Sequence, residues 1–259
     1  DLKVFDALSA GAVDFVQKPD MTSANRKEFF LSTLMNKLVI GSKARVRITP
    51  QFASAPPLAG MSQPARGNGG IAPNRVLTGR PLSATANQMV IAIGASTGGT
   101  EATLEVMKRL PQDIPPMVIV QHMPPGFTSM YAERLNRICK MEVREAKHGD
   151  RVQPGLILLA PGGLQMRVVR MGVGYSVSCT EEEKVSGHKP SVDVLFSSVA
   201  SIVKNKAIGV ILTGMGADGA AGMLRMRKAG AYTIGQDKES CVVYGMPMEA
   251  FKIGAVCQQ

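Results

Sequence analysis

A mostly parallel, doubly wound α/β sheet with one β-hairpin is expected from three observations. Short apolar runs recur from residue 89 onward: MVIAI at 89–93, MVIV at 117–120, LILLA at 156–160 and AIGVIL at 207–212. Stretches of helical periodicity separate them. Glycine- or proline-rich turns follow most of them. Strands apolar at every position are buried on both faces, as happens when crossover helices cover both sides of a parallel sheet.

Taken in order, the elements divide the chain into three regions. Residues 1–43 contain a helix end at Ala7–Gly11, stopped by the glycine, and a short buried strand at Val13–Val16 closed by Lys18-Pro19. A helix over Ala24–Val39 follows, with Phe30, Leu34 and Leu38 on one face. One strand and two helical pieces are too few to bury a core by themselves. Residues 44–87 form a linker. From Thr49 onward they are rich in Pro, Gly, Ser and Ala, include Pro56-Pro57 and Gly67–Gly70, and contain no acidic residue. Residues 88–259 carry the sheet. Strands are expected at Met89–Ile93, Met117–Val120, Leu156–Ala160, Ala207–Leu212 and Tyr232–Gln236. Helices are expected over Thr100–Leu110, Ser129–Cys139, Val192–Val203 and Gly219–Ala229. Gln165–Val169 and Gly174–Ser178 flank Met171-Gly172-Val173 as a hairpin.

Composition narrows the function classes. Hydrophobic residues make up 45% of the chain, enough for a sizeable core, yet none forms a run of about 18 that would span a bilayer. Asp1–Lys18 lacks the basic start, apolar run and cleavage site of a signal peptide. The four cysteines are scattered without C-x-x-C spacing, which argues against a zinc site or a disulfide framework and makes a reducing cytoplasm the simplest compartment. The formal charge of +10 is spread along the chain, with no Lys/Arg block and little aromatic interleaving, unlike a nucleic-acid binder. An acidic protein partner would suit such a surface, as would ordinary solubility charge.

Three segments carry candidate chemistry. Gly94-Ala95-Ser96-Thr97-Gly98-Gly99 follows a strand, opens a helix and fits G-x-S-x-G in the context that gives that pattern meaning. The glycines allow a sharp turn that exposes the serine hydroxyl, and amides at the helix start can hold an oxyanion. A dinucleotide fingerprint lacks its middle glycine here, and a P-loop lacks its lysine, because position 100 is Thr. His122 follows the second strand, before Pro124-Pro125. His148, in a polar loop, and His188, beside a helix start, are weaker candidates for a base. Asp218 lies in TGMGADG, after the strand ending at Leu212.

Each has a blander reading: an incidental serine in a tight turn, a structural histidine, and an aspartate capping the helix that follows it. Singly, the bland readings prevail. Together they do not, because all three residues fall at the carboxyl ends of expected parallel strands, where open α/β sheets hold their crevice. A nucleophile, a base and an acid on one rim make a catalytic triad, recognised by geometry rather than by chain order.

At these residues the chain resembles the chemotaxis protein-glutamate methylesterase/glutaminase family, a class of response regulator. The matching segments are IGASTGGTEA, VIVQHMPPGFTSMYAERLN, LAPGG, GHKPSVDVLFSSVA and VILTGMGADGAAGM. The resemblance implies a modified Rossmann-like catalytic domain, Ser96, His122 and Asp218 as catalytic residues, and Thr97 and Met215 as contributors at the oxyanion site. It implies hydrolysis of glutamate methyl esters on methyl-accepting chemoreceptors and deamidation of selected glutamines, without a metal or organic cofactor, nucleic acid or membrane insertion. Residues 1–43 resemble the end of a phosphoacceptor receiver domain, with Lys18 at the position of its lysine. The strands that would carry the phosphoacceptor aspartate do not precede it here. Control by phosphorylation, and a histidine kinase as partner, are therefore expected only of a full-length parent. A nucleotide-binding α/β domain and a non-catalytic regulatory protein are the rival readings.

Overall fold

The structure, a computed structural model, describes residues 3–18, 24–42, 44 and 89–259. Apart from Ala44, the expected linker lies outside the described residues.

Two helices precede the sheet region, α1 (Lys3–Ser9) and α2 (Ala24–Gly41). The main sheet is formed by β1 (Val90–Ala95), β2 (Met117–Gln121), β3 (Glu142–Glu145), β5 (Leu156–Leu159), β8 (Ala207–Ile211) and β9 (Tyr232–Gly235). Its order is β3-β5-β2-β1-β8-β9 and every neighbouring pair is parallel. A second, antiparallel sheet orders β4 (Arg151–Val152), β7 (Gly174–Thr180) and β6 (Gln165–Met171). The expected hairpin is β6–β7, turning at Gly172-Val173. Crossovers are supplied by α3 (Gly99–Met107), α4 (Phe127–Ile138), α5 (Val192–Ile202) and α6 (Ala220–Lys228), with α7 (Met246–Lys252) near the end.

Apolar runs become strands here because successive side chains enter opposite layers. On β5, Leu156 and Leu158 join one core with α5, α6, α7 and the antiparallel sheet. Ile157 and Leu159 join the other, with α1, α3 and α4. Both faces are thus covered, which is why no polar alternation marks these strands.

The amino-terminal residues differ from expectation in two ways. Val13–Val16 forms no strand among the described residues. Its anchoring is by side chain instead: Phe15 stacks on Phe127 at 4.7 Å, and Asp14 is paired with Lys37 at 2.8 Å. The α1 segment gains its core from the sheet region. Phe5 is fully buried and stacks on Tyr131 at 5.6 Å, within the layer formed by Met107 and Leu135. Three elements lacked a readable signal. β3 is a polar edge strand of sequence EVRE, β4 has two residues, and α7 has seven. Each is too short or too polar to show a period.

Candidate active site

The strands β2, β1 and β8 are neighbours, and their carboxyl ends are level. Ala95 pairs with Gln121, and Gly94 with Ile211. The residues that follow therefore emerge together: Ser96 from β1, His122 from β2, and Leu212-Thr213 from β8. Backbone bonds continue the alignment past the strands. His122 N–H donates to the Ala95 carbonyl at 3.1 Å, and Ser96 N–H to that of Thr213 at 3.0 Å. Strand order reverses about β1, so this rim is the topological switch point.

The turn that carries Ser96 is tight. Gly99 N–H returns to the Ser96 carbonyl at 2.7 Å, and Gly98 takes φ +76°, a conformation glycine adopts without steric cost. The same carbonyl accepts the side-chain amide of buried Gln121 at 2.9 Å. The loop after β8 closes on the serine from the other side. A methyl on Gly214 would stand 2.7 Å from Ser96 Cβ and 2.4 Å from Met246 Sδ. Glycine is needed there for space.

His122 and Asp218 meet as a buried pair. Nε2 lies 2.8 Å from Asp218 Oδ2, with the side chains 8% and 1% exposed. His122 Nδ1 is buried and has no hydrogen-bond partner, so it is the nitrogen left for a reacting group. The Ser96 hydroxyl is not bonded to it here; such bonds often tighten only when substrate binds.

Asp218 does not cap its own helix, contrary to the bland expectation. The N-cap of α6 is Gly219, with no side-chain cap bond. The Asp218 carboxylate instead crosses to the start of α5. It accepts the N–H groups of Val192 at 2.7 Å and Asp193 at 3.0 Å, and the Ser191 hydroxyl at 2.7 Å. The favourable N-terminal end of a neighbouring helix thereby holds the acid. Burial pushes its pKa up, but the bonds from His122, Ser191 and the Asp193 amide outweigh burial and hold it below the usual carboxylate range. Asp193 reciprocates by accepting the Gly222 N–H, in the first turn of α6, at 2.6 Å.

Thr97 and Met215 flank the serine. The Thr97 hydroxyl donates to Asp14 Oδ2 at 2.8 Å, so it is occupied by the amino-terminal segment. The Thr97 and Met215 N–H groups, by contrast, donate to no acceptor among the described residues. They are the groups free to meet an oxyanion. The Met215 side chain is about half exposed.

All five expected residues are thus brought to one rim. His148 is engaged elsewhere, with Nδ1 3.3 Å from the Cys179 carbonyl. His188, read as a weak alternative base, stacks face to face on His122, with ring centroids 3.7 Å apart and an interplanar angle of 7°. Sequence reasoning missed Ser191 and Gln121 entirely. Ser191 had a readable signal, a serine immediately before a helix start, but nothing in the chain tells which carboxylate it serves.

Known proteins are similar to this chain in sequence and in fold. The family described as CheB methylesterase matches residues 91–259. A protein-glutamate methylesterase/protein-glutamine glutaminase of Syntrophomonas wolfei is 51% identical over 256 residues, covering 99% of this chain and 69% of the relative. A protein of the same description from Paraburkholderia xenovorans is 47% identical, covering 96% and 66%. The chain thus spans about two thirds of the length of these curated relatives. Among solved structures, the CheB methylesterase catalytic domain of Thermotoga maritima is similar, with TM-score 0.64 and 37% identity over 66% of this chain and 90% of that one.

Proposed function

The chain belongs to the CheB methylesterase family, and on that premise we propose that it hydrolyses glutamate γ-methyl esters through Ser96, His122 and Asp218. The single observation that carries the residue assignment is the buried His122–Asp218 bond, with Nδ1 unpartnered and Ser96 on the adjacent strand end.

In this reading His122 Nδ1 takes the Ser96 proton as the hydroxyl oxygen attacks the ester carbonyl. Asp218, bonded to Nε2, fixes the tautomer and steadies the imidazolium. The Thr97 and Met215 amides hold the tetrahedral oxyanion, each worth about 3 kcal/mol in the transition state. The proton passes from His122 to the departing methoxide, and methanol leaves an acyl-enzyme on Ser96. Water, deprotonated by His122, then releases the γ-carboxylate. With a glutamine substrate the leaving group is ammonia and the remaining steps are the same. The base must be neutral, so turnover falls on acidification.

The substrates in this reading are methyl-accepting chemoreceptors in the cytoplasm, and hydrolysis restores a negative charge that methylation had removed. The chain divides in this reading into a receiver-like segment over 1–43, a linker over 44–87 and the catalytic domain over 88–259. The family and its fold favour the hydrolase over a nucleotide-binding or non-catalytic domain. Methanol release from methylated receptor tests it: Ser96→Ala is expected to lower the rate roughly a thousandfold or more. Retained release by that variant would remove the serine mechanism.

A further inference from the structure

His122 is bonded at one ring nitrogen and free at the other, so that single bond does not fix its plane. A ring hinged on one hydrogen bond can rotate. One face of the imidazole is covered by His188, parallel within 7° at 3.7 Å. His188 is itself held rigidly. It ends the two-residue turn Ser186-Gly187, whose φ values are 53° and 80°. Val185 N–H donates to the His188 carbonyl at 3.0 Å and His188 N–H to that of Val185 at 2.9 Å. The His188 carbonyl also accepts Nε2 of the fully buried Gln165 at 3.1 Å, and Gln165 Oε1 accepts Ser191 N–H at 2.9 Å. Ser191 Oγ then donates to Asp218. The turn that presents His188 and the carboxylate that holds His122 are therefore parts of one hydrogen-bonded unit.

We propose that His188 is a positioning residue of the triad: its ring lies flat on His122 and keeps the imidazole in the plane where Nε2 meets Asp218 and Nδ1 is offered to the nucleophile. The inference rests on the hydrolase reading above and extends it. The charged or titratable groups facing His188 are His122, Asp218 and Lys184. Burial, and then His122 itself, push the His188 pKa down to about 4, so its ring stays neutral while His122 cycles through its charged form. A neutral aromatic face beside a transient imidazolium is favourable, whereas a second cation would repel it.

The test uses the full chain and p-nitrophenyl acetate, a small ester that keeps receptor docking out of the rate. Ser96→Ala is measured first. Turnover retained there would end the hydrolase reading and this inference with it. With Ser96→Ala inactive, His188→Ala is expected to lower kcat roughly ten- to a hundredfold, with KM within about threefold, as for a misplaced catalytic group. His188→Phe, which keeps a flat ring, recovers most of the loss. If His188→Ala does not fold, His188→Gln carries the same expectation. An unchanged kcat in the variant without a ring would overturn the proposal while leaving the triad standing. So would a loss that His188→Phe leaves unrecovered.

Discussion

Single atoms decide whether this rim can react. Gly214 is held against Ser96 so closely that a methyl group has nowhere to go except into Ser96 Cβ or Met246 Sδ. Gly214→Ala is therefore expected to destabilise the fold by about 1–3 kcal/mol by overpacking. It should also cost activity well beyond that, because the displaced loop carries the Met215 amide. Urea midpoints and ester hydrolysis measured on the same preparation separate the two effects. Asp218→Asn should act differently. Its NH2 would stand where one carboxylate oxygen was and point a donor either at Val192 N–H and His122 or at Asp193 N–H and Ser191 Oγ–H, so donors would face donors on one side. The expected result is about 1–3 kcal/mol of lost stability, together with a loss of kcat on the order of ten-thousandfold, the scale seen when other triads lose their acid.

The helices α5 and α6 are tied by an exchange of caps. Asp218, just before α6, takes the first N–H groups of α5, and Asp193, in the first turn of α5, takes the Gly222 N–H of α6. Each helix start has orphan donors, and each neighbour supplies the acceptor. Asp193→Ala removes half of the exchange. It is expected to lower stability by about 1 kcal/mol, the usual scale for a lost cap. It should lower ester hydrolysis severalfold but far less than Asp218→Asn, since His122 keeps its partner. Activity equal to the parent, with stability reduced, would make Asp193 a cap alone. The polar strand β3 and the short α7 belong to the same scale: their formation depends on what they lie beside, not on a period of their own.

At the scale of the whole molecule, acid should loosen the fold. His188 binds a proton near pH 6.5 when unfolded but only near pH 4 when folded. Between those values the unfolded chain holds the extra proton, so stability drops as pH falls through the window and His188 takes no further part below it. Asp218 adds to the trend. Its folded pKa is depressed, so its contribution is complete above the ordinary carboxylate range and disappears as pH falls through the folded value. Urea midpoints at several pH values from 7 to 4 should decline, and His188→Phe should flatten the upper part of the decline. The amino-terminal segment also belongs to this scale. Residues 3–18 are bound to the catalytic layer through Phe5 on Tyr131, Phe15 on Phe127 and Asp14 on Thr97, so they share its core although they cannot form one alone.

The apolar strands, the hairpin and the glycine turns were legible because burial on both faces and tight turns each demand particular residue types at fixed spacing. The placement of Ser96, His122 and Asp218 on one rim was legible for a related reason: the first two directly follow strands whose ends could be read, and Asp218 lies in the glycine-rich loop after a third. The partner of each group was not legible. Asp218 reads as the cap of α6, yet it caps α5, because the chain order says nothing of which helix start lies beside the loop. His188 reads as a weaker candidate base beside a helix start, yet it covers His122, a contact the sequence does not announce because it joins residues 66 positions apart. Local pattern determines which elements form and where strands end. Contacts between distant segments are set by packing, and only the assembled layers decide which donor meets which acceptor.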